Sequence, residues 1–152
     1  MCLYLFGIYS LMCYDRHMEK RTSFEKDSNS PLAELFLEVL DFAKICIGND
    51  VKIRYNPNTT TLYTKEGGYC YIKAYESYVH IGWTRGRYIE DKYSLLFGTG
   101  KTIRGQKVTK LDKITRESMR YYAQETLVFL IEHNELMKLR KKNNKNIDER
   151  NL

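Results

Sequence analysis

Hydrophobic positions along the chain follow two periods, and the change from one to the other divides it into elements. Apolar residues at Leu32, Leu35, Phe36, Val39, Ala43 and Cys46 have the spacing of one helix face. Ser30 and Pro31 stand where such a helix begins, a capping side chain followed by a residue tolerated in the first turn. Gly48-Asn49 stands where it ends. From Val51 to Thr84 the period is two. The runs VKIRY, TLYTK, YCYIKAY and YVHIGWT are separated by NPNT, EGG and Glu76-Ser77, which predicts a meander of four antiparallel strands. In the last run Val79, Ile81 and Trp83 take one face while Tyr78, His80 and Gly82 take the other. One face is therefore expected in the core and the other partly polar, with Trp83 as a core anchor.

The stretch from Arg85 to Lys110 is less regular. Arg85-Gly86-Arg87 and Phe97-Gly98-Thr99-Gly100-Lys101 read as loops around a short apolar turn, Tyr93 to Phe97, followed by a last strand over Lys101 to Val108. Thr115 and Glu117 then open a long helix with an apolar stripe of Met119, Tyr122, Ala123, Thr126, Leu127, Leu130 and Met137. The prediction is an α+β domain over residues 30–138, an antiparallel sheet packed with an N-terminal and a C-terminal helix. A poorly ordered extension, 1–29, is expected before it, and a fraying basic tail, 139–152, after it. The apolar start, Met1 to Tyr14, is shorter than the roughly 20 residues a membrane span needs and lacks the pattern of a signal peptide. The polar segment that begins at Met18 offers a second candidate start.

Composition narrows the class. With 152 residues, 43% of them hydrophobic, one domain with its own core is expected, and 29% charged residues exclude a membrane-embedded chain. Cys2, Cys13, Cys46 and Cys70 show no CxxC spacing, so reduced thiols and a cytoplasmic setting are expected. The net charge of +6 is unevenly placed. Arg85, Arg87, Lys92, Lys101, Arg104, Lys107 and Lys110 face only Glu90 and Asp91 in one stretch, and Lys138, Arg140, Lys141, Lys142 and Lys145 follow the last helix stripe.

Several chemistries fail on spacing. Gly98-Thr99-Gly100-Lys101-Thr102 ends like a phosphate loop, but Leu95 stands where its first glycine belongs, and a strand rather than a helix is expected to follow. His17, His80 and His133 lie in different elements, without an HExxH pattern, and no nucleophile elbow is present. No catalytic residue is assigned. Glu34, Glu38 and Asp41 line one exposed helix face, within reach of a shared hard cation. Tyr69, Tyr71, Tyr75, Tyr78 and Tyr88 alternate with Lys73, Arg85 and Arg87, the residue types that hold single-stranded nucleic acid.

The segment from Tyr69 to Ile114 resembles the YdhG-like family, a domain of unknown function with a frataxin-like α+β fold. The resemblance covers roughly residues 32–130. Its pattern is Val79-x-Ile81-Gly82-aromatic, Gly86, Asp91, Leu95-Leu96, Gly98-x-Gly100-Lys101, Arg104 and Lys107. The chain departs from it at Lys92, where the family has proline, at Phe97, where it has glutamate, and at Gly105, where it has histidine. The resemblance implies a frataxin-like iron chaperone as one reading, with iron on Glu34, Glu38 and Asp41.

The leading expectation is a non-enzymatic binding or accessory domain. Its contact residues are Arg85, Arg87, Gly98, Gly100, Lys101, Arg104 and Lys107, and it takes an anionic small molecule or a protein partner, without a cofactor. Iron carriage is the alternative and single-stranded nucleic-acid binding the third reading.

Overall fold

The computed structural model describes residues 22–150. Cys2, Cys13, His17 and the candidate starts Met1 and Met18 lie outside the described residues. The fold is α+β: a short helix α1 (Ser23–Asp27), helix α2 (Ala33–Ile45), strands β1 (Lys52–Tyr55), β2 (Thr60–Thr64), β3 (Gly67–Ala74) and β4 (Val79–Trp83), a 3-10 turn (Gly86–Tyr88), strand β5 (Arg104–Val108) and helix α3 (Lys113–Arg150). The five strands form one antiparallel sheet in the order β1-β2-β3-β4-β5.

α2 and α3 lie together on one face of this sheet, both against β3 and β4. Phe36, Val39 and Ala43 of α2 and Met119, Tyr122 and Ala123 of α3 are fully buried against Leu62, Ile72, Val79, Ile81 and Trp83. Each large apolar side chain withdrawn from water in this way stabilises the fold by about 1.5–3 kcal/mol. Trp83 also carries a polar group, which the core satisfies. Its indole Nε1 donates to Gln106 Oε1 at 3.0 Å, Gln106 Nε2 donates to Ser118 Oγ at 2.9 Å, and Ser118 donates to the Thr115 carbonyl at 2.9 Å. β4, β5 and α3 are thus joined through the middle of the core by one polar chain.

Element ends depart from expectation in three places. Ser30 does not cap α2, because its hydroxyl donates to the Asp27 carbonyl at 2.7 Å and so closes α1. The cap of α3 is Asp112, whose Oδ1 accepts from the Thr115 amide at 2.9 Å, so the helix begins two residues before Thr115. α3 then continues for 38 residues, about 57 Å at 1.5 Å per residue, through most of the stretch expected as a fraying tail.

Residues 23–29, assigned to the extension from sequence, belong to the fold. Phe24 packs its ring on Phe36 at 5.9 Å and on Tyr55 at 5.1 Å, and buried Ser23 donates to buried Asp27 at 3.1 Å. Burial raises the pKa of the Asp27 carboxyl, and the Ser23 hydrogen bond opposes that rise.

Candidate ligand-binding face

The side of the sheet away from the helices carries the rows that alternate with the core: Arg54, Thr61 and Tyr63 on β1 and β2, Tyr71 and Lys73 on β3, His80 and Gly82 on β4, Gly105 and Lys107 on β5. The side chains there are half-buried or exposed. At the β3–β4 turn Tyr75 and Tyr78 continue the same face and stack on each other with centroids 5.2 Å apart.

Five rings make one continuous patch. Tyr71 stacks on His80 at 5.5 Å and its hydroxyl lies 3.2 Å from His80 Nε2. His80 meets Phe97 edge-on at 5.5 Å and Tyr75 edge-on at 5.9 Å. Bare backbone beneath makes this possible: a Cβ on Gly82 would stand 2.1 Å from the Tyr71 ring, and one on Gly105 would stand 2.5 Å from the His80 ring and 2.7 Å from that of Phe97. The rings lie flat on the sheet because these two positions have no side chain.

Two lysines are placed among the rings. Lys107 Nζ lies 4.9 Å from the Tyr78 centroid and 5.2 Å from that of Phe97, and Lys73 Nζ lies 5.6 Å from that of Tyr75, all within cation–π range. The strand rows of this face hold no carboxylate. Ion pairs among the described residues join Lys110 to Asp112, Lys113 to Glu117 and Lys138 to Glu135, away from the patch. Burial first, then Lys107 and Lys73, lower the pKa of His80.

The seven basic and glycine residues singled out in the 85–107 stretch divide by what they touch. Arg87 Nη1 donates to the Lys101 carbonyl at 3.3 Å, and Arg104 Nη1 donates to those of Gly100 and Ile103 at 2.6 and 2.8 Å, so both guanidinium groups hold the loop together. Gly98 turns the chain at φ +110°, and Gly100 is exposed beside it. Arg85 Nε is enclosed without a hydrogen-bond partner among the described residues. Lys101 is exposed on the loop, and Lys107 alone of the seven stands on the open face. Because β5 begins at Arg104, residues 101–103 belong to the loop and not to the strand.

Asp91 organises that loop. Its carboxylate accepts from the amides of Leu95 and Leu96 at 3.1 and 3.2 Å and from the hydroxyl of Tyr122 on α3. The loop is then returned to the sheet by Phe97, which exchanges two backbone hydrogen bonds with Gly105. Two of the three departures from the YdhG-like pattern therefore meet: the Phe97 ring, with that of His80, occupies the space that a side chain at 105 would take.

The tyrosine set also divides. Tyr71, Tyr75 and Tyr78 are on the open face, but Tyr69 is fully buried and donates to the Ala43 carbonyl at 2.9 Å, and Tyr88 stacks on Phe129 of α3 at 5.1 Å. His80 and Phe97 were missed as parts of the platform, although the shared parity of Tyr78 and His80 pointed to the first. Cys46 and Cys70 are buried, and desolvation pushes the Cys46 thiol up to about 11, consistent with inert core groups.

Glu34, Glu38 and Asp41 are exposed along α2, spread over about 10 Å of helix axis. Among the described residues no group of three or more His, Cys, Asp or Glu side chains is placed to hold a metal ion, so the acidic row expected from sequence does not converge into a site. No helix among them is long and apolar enough to cross a membrane. No family model, curated protein or solved structure matches the chain.

Proposed function

We propose that this protein is a non-enzymatic cytoplasmic binding domain that takes an anionic ligand on the open face of its sheet, with the 85–104 loop as a basic rim. The observation that carries the reading is the placement of Lys107 between Tyr78 and Phe97, on a face whose strands hold no carboxylate. Lys107 is exposed, stands against two rings and makes no ion pair among the described residues, so an incoming anion meets it at little rearrangement. Half-buried Lys73, which also acts on the Asp27 carboxylate, adds a second cation beside Tyr75.

A titration of the full chain with a heparin fragment, followed by amide chemical shifts, tests this. Shifts at Lys73, His80 and Lys107 and through residues 97–101, lost in Lys73→Ala/Lys107→Ala, are the expected result. Shifts confined to Lys138–Lys145 would overturn it.

A further inference from the structure

We propose that the ligand of the open face is single-stranded nucleic acid, its bases stacking on the Tyr75–Tyr78 and His80–Phe97 rings and its phosphates neutralised by Lys73 and Lys107. This rests on the reading of the open face as the binding surface and gives that ligand a chemical class.

Three observations select a polymer of planar rings. The surface is a pleated sheet covered by rings from two of its strands, the turn between them and the loop, whereas small molecules are taken up in concave sites. Three concavities among the described residues, of about 440, 390 and 440 Å³, lie away from the five rings; one is between Glu66, Asn134 and Lys138 on the flank of α3, and another borders Tyr63 at the far end of β2. Rings also alternate with cations across the face, as bases alternate with phosphates along a strand, and every base offers a π-face to such a platform. Tyr75 and Phe97 are 44% and 39% exposed, so ring surface is open to a stacking partner. His80 adds a further ring between Tyr71 and Phe97, its pKa lowered by burial and by Lys107 and Lys73.

A duplex does not fit this geometry. Its bases are stacked on one another inside the helix, and a flat sheet face reaches none of their π-faces. An extended acidic peptide would use the lysines but leave the rings without matching partners. Gly82 and Gly105 complete the argument, because the rings they admit lie along the sheet instead of standing out from it.

The test compares three probes on the full chain by fluorescence anisotropy or competition: a 12-nucleotide single strand, the same sequence as a duplex, and inorganic polyphosphate as an anion without rings. The single strand is expected to bind tightest. Its log K should fall with log salt at a slope of about −1.4 for two neutralised phosphates, becoming shallower by roughly 0.7 in Lys107→Ala. Tyr75→Leu/Tyr78→Leu and Phe97→Leu should each weaken the single strand about ten-fold or more and leave polyphosphate unchanged. Thermal unfolding of each variant separates lost binding from lost fold, and the exposed Tyr75→Leu alone serves if the double variant does not fold. Polyphosphate or duplex binding as tightly as the strand, with the ring variants neutral, would overturn the nucleic-acid proposal while leaving an anion-binding face. Binding insensitive to Lys73→Ala/Lys107→Ala for every probe would overturn the face itself.

Discussion

Phe97 and Gly105 exchange both of their backbone hydrogen bonds, at 2.9 and 2.8 Å, and the aromatic ring of one covers the bare Cα of the other. This pair ties the loop after the 3-10 turn to the edge strand and at the same time sets the outer border of the ring patch. Gly105→Ala should therefore cost about 1–3 kcal/mol, the usual penalty of forcing atoms into occupied space. In urea unfolding, part of that cost should disappear in the Phe97→Ala background, with a coupling above about 0.5 kcal/mol. Strict additivity would show that the ring does not rest on the glycine.

The Trp83–Gln106–Ser118 chain predicts an asymmetric response. Gln106→Leu preserves volume but leaves the indole N–H buried without an acceptor, so a loss of about 1–3 kcal/mol is expected. Trp83 is the sole tryptophan of the chain, and its emission should shift as its polar partner disappears. Unchanged stability and emission would mean that the indole does not depend on Gln106.

Asp91 accepts from two loop amides and one helix phenol, so its removal uncaps residues 95–96 and leaves the Tyr122 hydroxyl without that acceptor. Burial first, and then Asp91, raise the Tyr122 pKa. Asp91→Ala should shift the alkaline spectral titration of that phenol downward and increase amide exchange across 92–97. Unaltered exchange there would place the loop's order elsewhere.

For His80 the direction of the pH response follows from its lowered pKa. The unfolded chain takes up the proton first, near the ordinary value of about 6.5, so the contribution of neutral His80 to stability is complete above that pH. It is lost as pH falls through the window toward the lower folded value. The groups facing the ring are Lys107 on β5, Lys73, Tyr71 and Tyr75, and both cations oppose its protonation. Between pH 7 and pH 5 the melting temperature should fall more steeply for the native protein than for His80→Gln. Parallel profiles would remove the histidine from the account.

The extent to which these features could be read from the sequence follows from their range along the chain. Val79, Ile81 and Trp83 alternate within one strand, and all three are fully buried as their period requires. Tyr69 and Tyr71 have the same parity and yet face opposite ways. Between Leu62 and Tyr63 the register with β3 slips, pairing Leu62 with Cys70 but Tyr63 with Gly68, so Tyr69 is an extra residue whose side chain is turned to the helices. No period anticipates a bulge. The caps were misplaced because suitable side chains are used otherwise: the Ser30 hydroxyl donates to the Asp27 carbonyl, Leu32 stands before α2 without a side-chain cap, and Asp112 rather than Thr115 accepts at the start of α3.

The candidate face was half legible. Lys107, Tyr71, Tyr75 and Tyr78 were apparent as residue types with the right chemistry, whereas the contribution of Phe97 depends on a loop returning across many residues to meet Gly105. Arg87 and Arg104 were legible as charge alone. That their guanidinium groups also donate to carbonyls of the loop is a use of arginine that only the path of the loop reveals.

The strands stand in space in the order they have along the chain, so each ladder joins sequence neighbours. Turns of a few residues close β1 to β4, and the 84–103 segment is the one long loop within the sheet. Most of the pairing is therefore local, the condition under which a β-rich chain assembles quickly. The longest closure in the sheet is instead that of the segment that carries Asp91 and Phe97, which brings β5 to β4. Changes in those two residues should accordingly act on the folding rate more than on the unfolding rate.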